Sequence, residues 1–376
     1  MLRHYEVNLA GPGHRARGVP CQDSCAVEAL PSAAVAAVAD GLGSQALSDV
    51  GSQAAARAAV TYCRAHLGRC TSEDATLDVL REAYRAAYDA VLDEADRRGE
   101  SAGQMDCTLC VALFAGGMVA WGQSGDSGLA VAHTDGSYEL VTRMQRDDEG
   151  RVYPLCFDER WEFGICTDVA SALLCTDGVL EDLVAPPALA KHTTQPIDTR
   201  VARGFLHPDV AAAGSIEALQ AAAEAYLDEL PADVLDDDKT AVVLFDDEHL
   251  PGEMPAPYYD GPDWDDICAK AHELIYASAG SATAEPASSA NEADAQEETS
   301  APAASDAPRA EASPCGKIAQ PRTGAPAAAD APQRKPTLPP VAPEESAFAP
   351  MAPLRASYTR LPRKKPTKRT PPKHRR

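Results

Sequence analysis

Ala33-Ala34-Val35-Ala36-Ala37-Val38-Ala39-Asp40-Gly41 is an unbroken apolar run that stops at an acid and a glycine. It follows Pro31-Ser32, so both of its ends are marked by turn residues, and it reads as a short buried strand. Two other runs have the same build: Ala170–Thr176 ends at Asp177-Gly178, and Ala241–Phe245 begins after Asp236-Asp237-Asp238-Lys239-Thr240. A fourth acid sits in the Gln22-Asp23 pair. Carboxylates placed at strand ends and spread over most of a domain converge only in three dimensions. Bare carboxylates repel one another, so the reason to gather them is a hard cation. The expectation is a divalent-metal site and a metal-assisted reaction.

Outward from these runs the chain alternates between helical and strand-like stretches. Tyr5–Ala10 and Cys25–Leu30 read as strands, and Gly11-Pro12-Gly13 as a turn. Val50–His66, capped by Ser48 or Asp49, and a second stretch from Ser72 to a stop at Gly99 read as long helices. From Met105 short strands follow: Thr108–Phe114, Met118–Gly122, Gly128–Ala132 and Tyr138–Val141. Gly116-Gly117 and Asp135-Gly136 are tight-hairpin signals between them. Ser215–Glu229 is an amphipathic helix, and Asp263–Tyr276 is a candidate last helix. This order is α+β with much antiparallel sheet, not a regular βα alternation.

Composition divides the chain of 376 residues. Residues 1–250 have the mixture of a globular domain, 251–278 read as a linker with a short helix, and 279–376 are rich in Ala, Pro, Ser, Glu and Gln. The last stretch lacks the apolar surface needed to offset its ordering entropy, and is expected to be disordered. Net charge is −23, from 34 Lys+Arg against 57 Asp+Glu, which argues against nucleic acid as the main partner of the folded part. The extreme end is basic: Arg360, Arg363, Lys364, Lys365, Lys368, Arg369, Lys373, Arg375 and Arg376. It reads either as an arm for anionic lipid, nucleic acid or an acidic partner, or as a solubilising tail. No apolar stretch is long enough to form a transmembrane segment, and Met1–Glu6 lacks the apolar core of a secretory leader. The 11 cysteines lie mostly inside apolar runs. They read as reduced core thiols of a cytoplasmic protein, the Cys107–Cys110 and Cys21–Cys25 pairs included.

Each acid alone has a bland reading. Asp-Gly is a common turn dipeptide, and Asp236–Asp238 could be a solvated loop. Together with their flanks they say more. Cys21-Gln22-Asp23-Ser24, Val38-Ala39-Asp40-Gly41-Leu42-Gly43, Cys107-Thr108-Leu109, Gly122-Gln123-Ser124-Gly125-Asp126-Ser127, Leu174-Cys175-Thr176-Asp177-Gly178 and Asp237-Asp238-Lys239-Thr240 occur in the order found in one family. Over residues 4–246 the chain resembles the PPM, or PP2C, metal-dependent protein serine/threonine phosphatases, and their bacterial branch in particular. The resemblance implies a four-layer α/β/β/α sandwich with two antiparallel sheets. It implies two Mn²⁺ or Mg²⁺ ions bridged by Asp40, with the Gly41 carbonyl on one ion and Asp177 and Asp237 completing the shell of the other. Asp126 would hold a weaker third ion, and Asp23 would orient metal-bound water. The implied reaction is hydrolysis of phosphoserine or phosphothreonine in proteins by a metal-bridged hydroxide that attacks phosphorus directly. The substrates would be phosphoproteins of a Ser/Thr kinase, or one dedicated regulator. The alternative is a catalytically weak relative that serves as a scaffold or binding module in a kinase pathway.

Some family positions differ here. The slot of a phosphate-binding Arg is Gly18, with Arg17, Arg15 and His14 nearby. Arg17 either takes that role or is a plain surface residue. Leu42 replaces a His proposed as general acid, which leaves a metal-bound water or His14. Gly128 stands where an Arg usually follows Gly-Asp-Ser.

Overall fold

The computed structural model describes residues 1–271. The expected disordered tail 279–376 and its basic end lie outside these residues. In chain order the strands are β1 (Leu2–Leu9), β2 (Asp23–Ala29), β3 (Ala34–Asp40), β4 (Leu109–Ala115), β5 (Met118–Ser124), β6 (Gly128–His133), β7 (Tyr138–Leu140), β8 (Glu162–Cys166), β9 (Val169–Cys175) and β10 (Lys239–Asp246). They form two five-stranded sheets, ordered β1-β10-β9-β6-β7 and β2-β3-β4-β5-β8. Every pairing within them is antiparallel.

The unbroken apolar runs are explained by where their two faces go. Along β3, Val35, Ala37 and Ala39 point into one core cluster, while Ala34, Ala36 and Val38 point into another. β10 divides in the same way, with Ala241, Val243 and Phe245 on one side and Val242 and Leu244 on the other. The shared cluster lies between the sheets, where Phe114, Leu129, Val131 and Leu174 interleave. A strand covered on both faces has no solvent side, so it shows no polar alternation.

Helices close the outer faces. α1 (Pro12–Arg17) is short; α2 (Ser48–His66) and α3 (Glu73–Arg98) pack on the β2–β8 sheet through Ala55, Ala59, Leu80, Ala83 and Tyr84. Ser72 caps α3 by accepting a hydrogen bond from Ala75 N–H, and Gly99 ends it in the left-handed region. α4 (Asp177–Val179), which runs into a π-helical turn at Leu180–Val184, is followed by α5 (Pro187–His192), α6 (Thr199–Leu206), α7 (Val210–Ala213) and α8 (Ile216–Asp228). This group packs on the other sheet through Leu183, Val201, Phe205 and Leu227. The result is the expected four-layer α/β/β/α sandwich.

Three details differ from the sequence reading. α1 stands where a turn is expected, because Pro12 can begin a helix and Gly11, its N-cap, lies against the Asp237 backbone with no room for a Cβ. β8 is a five-residue edge strand with an exposed Glu162, a glycine at its centre and none of its residues fully buried, so its signal in the sequence is weak. The described part of 251–278 packs on the domain instead of trailing from it. Tyr259 joins the core, Tyr258 Oη accepts from Tyr138 N–H at 2.7 Å, and Ile267 is buried. Residues 264–271 are helical.

Candidate metal centre

Asp40 is the last residue of β3, and Asp23, the first residue of β2, is its partner across the strands. The two carboxyls lie close enough to perturb each other. Asp40 N–H donates to Thr108 Oγ1 at 2.9 Å, and Thr108 Oγ1 lies 2.7 Å from Ser127 Oγ. Gly41 is wedged so closely that a Cβ would come within 2.6 Å of the Ser48 carbonyl oxygen and 2.8 Å of that of Gln22. Only glycine fits this approach.

Asp177 opens α4 directly after β9. Asp126 lies between β5 and β6, which belong to opposite sheets, so its turn crosses the sandwich and is not a hairpin. One carboxylate oxygen each from Asp40, Asp126 and Asp177 lie within 4.8 Å of one another. Asp237 completes the group: it lines the same cleft of about 560 Å³, together with His14, Gln22, Leu42, Arg146 and Glu181.

Electrostatics make this gathering costly. Burial, followed by repulsion from Asp177 and Asp23, pushes the Asp40 carboxyl well above the usual range. Burial and then Asp126 and Asp237 do the same to Asp177. Burial carries Asp23 up to about 7 against the hydrogen bond from Thr176 Oγ1, which is 2.7 Å long. Asp126 is raised by burial, only partly opposed by Arg146, and its Oδ1 is buried without a hydrogen-bond partner. All-oxygen donors, mutual repulsion and an orphaned buried oxygen fit a hard divalent cation.

Asp238 behaves differently. It accepts from Gly11 N–H at 2.7 Å, Gln22 N–H at 2.6 Å and His14 Nδ1 at 2.8 Å. It staples the loop before β10 to α1 and to the Gln22 segment, and so fixes its neighbour Asp237. The resemblance singles out Asp237 and gives Asp238 no role; the N–H donors around Asp238 supply one.

Arg146 and Glu181 escaped the sequence reading. Arg146 Nε and Nη2 donate to Asp126 Oδ2 at 2.8 and 2.5 Å. Its Nη1 and Nη2 donate to Glu181 Oε1 and Oε2 at 3.1 and 2.6 Å. A lone Arg in a polar loop carries no periodicity or motif that would single it out. The two phosphate candidates separate: His14 lines the cleft, whereas Arg17 is exposed at the end of α1 and is not among the cleft-lining residues. Two of the family departures also gain a physical reason. Gly18 ends α1 at φ 66°, where other residues are strained. A Cβ on Gly128 would lie 2.5 Å from Thr142 Oγ1 and 2.6 Å from Leu180 Cδ2, so no Arg fits there. Cys107 and Cys110 are buried free thiols.

The protein phosphatase 2C family model matches residues 10–206. This is more than half of the chain, which therefore belongs to that family. No curated protein matches it in sequence. Among solved structures, it is similar to the catalytic domain of the serine/threonine protein phosphatase PstP in complex with two manganese ions, at 23% identity over 65% of this chain and 97% of that one, TM-score 0.43. It is also similar to the serine/threonine phosphatase Stp1 from Staphylococcus aureus, at 14% identity over 66% and 96%, TM-score 0.47. RsbX in complex with magnesium is similar at 14% identity over 65% and 94%, TM-score 0.37. Among the described residues no helix is long and apolar enough to cross a membrane.

Proposed function

We propose that the chain is a metal-dependent phosphatase of phosphoserine and phosphothreonine in proteins, acting within the cytoplasm on substrates of a Ser/Thr kinase. The observation that carries this reading is the convergence of Asp40, Asp126 and Asp177 within 4.8 Å, from three separate segments, into one open cleft. Asp40, Asp177 and Asp237, with the Gly41 carbonyl, would hold two Mn²⁺ or Mg²⁺ ions. Such ions supply a lowered water pKa and a clamp on the phosphoryl oxygens. Asp23, held at Oδ2 by Thr176, backs Asp40 and orients it from behind. His14 donates from Nδ1 to Asp238, so Nε2 is the atom it offers to the phosphate or to the leaving oxygen. The open, polar cleft suits a phosphorylated side chain presented on a protein surface. No cysteine is needed as a nucleophile; burial holds the Cys107 and Cys110 thiols protonated.

The test is hydrolysis of p-nitrophenyl phosphate and of a phosphothreonine peptide with Mn²⁺. Turnover should vanish with chelator and resist okadaic acid. Absence of turnover with every divalent metal would sink the reading and favour a scaffold.

A further inference from the structure

The guanidinium of Arg146 occupies an unusual place for a cation in a metal cleft. It comes from the loop between β7 and β8, a segment held by the Arg146–Val152 bridge. Four of its five N–H groups are spent on two carboxylates, Asp126 and Glu181. Nη2 also lies 3.6 Å from Asp177 Oδ2. A guanidinium tied in this way has too few free donors to clamp an incoming phosphate. What it does instead is neutralise acids. Both of its bonds to Asp126 fall on Oδ2, which leaves Oδ1 as the Asp126 oxygen without a partner. One oxygen, not two, is then open to a divalent ion in company with Asp40 and Asp177.

We infer that Arg146 is a built-in cation of the metal site. It takes Asp126 Oδ2 and Glu181 and thereby limits the centre to two divalent ions by filling the place of a third. The inference rests on the metal-centre reading above, and adds that the ion count is set by a residue of the β7–β8 loop. Like charge excludes a further ion beside the guanidinium, and Asp126 Oδ2, the oxygen such an ion would share with Glu181, is already engaged by Arg146. Glu181, with no place in the sequence pattern, acquires one: it holds the far edge of the guanidinium and takes two of its N–H groups.

The experiment is equilibrium dialysis of the full chain against Mn²⁺, with bound manganese per chain measured by elemental analysis. The wild type should saturate at two ions, Arg146→Gln at three, and Glu181→Gln, whose amide oxygen still accepts one of the two guanidinium bonds and leaves both Arg146 bonds to Asp126 in place, at two. Three ions in the wild type, or two in Arg146→Gln, overturns the inference and leaves the metal centre standing. A raised KM in Arg146→Gln at an unchanged ion count also overturns it, and makes Arg146 a phosphate anchor. No manganese bound to any form overturns the metal-centre reading with it. If Arg146→Gln does not fold, the wild-type count decides alone, with two supporting the inference and three overturning it.

Discussion

Asp238 and the Asp40–Asp126–Asp177 group lie on the same rim of the sandwich, yet their surroundings are opposite. Asp238 is surrounded by donors: two backbone N–H groups and the His14 ring. The other three face one another, and even with Arg146 on Asp126 Oδ2, burial and repulsion from neighbouring acids raise their carboxyl pKa values. A buried carboxylate that accepts several hydrogen bonds stabilises the fold without help. Carboxylates buried against one another destabilise it until a cation arrives. The difference separates an acid satisfied by donors from acids held against one another, as the proposed metal centre requires, and it can be tested at single residues.

The largest effect is expected at the unsatisfied acids. Asp40→Asn and Asp177→Asn should weaken Mn²⁺ binding at least about a hundredfold and remove phosphatase turnover. In the metal-free chain the same substitutions should leave thermal stability unchanged or raised, because a repelled, half-buried charge is gone. A substitution that lowers metal-free stability while sparing Mn²⁺ binding would break the comparison. Calorimetric melting with and without Mn²⁺ reads both quantities at once.

Next comes the satisfied acid. Asp238→Ala leaves the Gly11 and Gln22 N–H groups without their acceptor and should cost about 3 kcal/mol in urea unfolding. Its effect on metal binding should be secondary, through displacement of Asp237. If Asp238→Ala is neutral in stability and abolishes metal binding, the assignment of roles to Asp237 and Asp238 is reversed.

A smaller effect follows from pH. Asp23 holds its proton more tightly in the folded chain, its carboxyl rising from 3.8 to about 7. Its contribution to metal-free stability is therefore complete below 3.8 and is lost as the pH climbs through about 7. Asp40, Asp126 and Asp177 shift in the same direction and add to the slope. The metal-free melting temperature should fall across that window, less so in Asp23→Asn, and Mn²⁺ should flatten the curve. A metal-free melting temperature that rises with pH would contradict the assigned burial costs.

Much of this was legible in the sequence. β3, β9 and β10 announced themselves because both of their faces are covered, and their terminal acids marked the rim. Ser72, Gly99 and Ser215 gave the helix ends through chemistry local to the chain. What escaped depends on partners distant in sequence. Arg146 meets Asp126 and Glu181 only in the folded molecule, and the stapling role of Asp238 comes from the N–H groups that reach it there. β8 is short and interrupted by Gly164, and the Tyr258-Tyr259 segment looks like a linker until Tyr138 and α6 are placed beneath it.

The smallest effect is expected where sequence neighbours suggested a phosphate anchor. His14 and Arg17 lie on the same short helix, but His14 faces the cleft and Arg17 faces solvent. Arg17 Nη1 lies 3.4 Å from the position a Cβ on Gly13 would take, on the Asp236 side of α1. An exposed arginine there contributes at most a few tenths of a kcal/mol, so Arg17→Ala should leave KM for a phosphopeptide within about twofold of wild type. His14→Ala should raise KM or lower kcat by more, because it removes a group from the cleft and one donor from Asp238. Steady-state kinetics of the two variants side by side decides the matter. A large KM increase confined to Arg17→Ala would mean that the end of α1 reaches over the cleft when substrate binds.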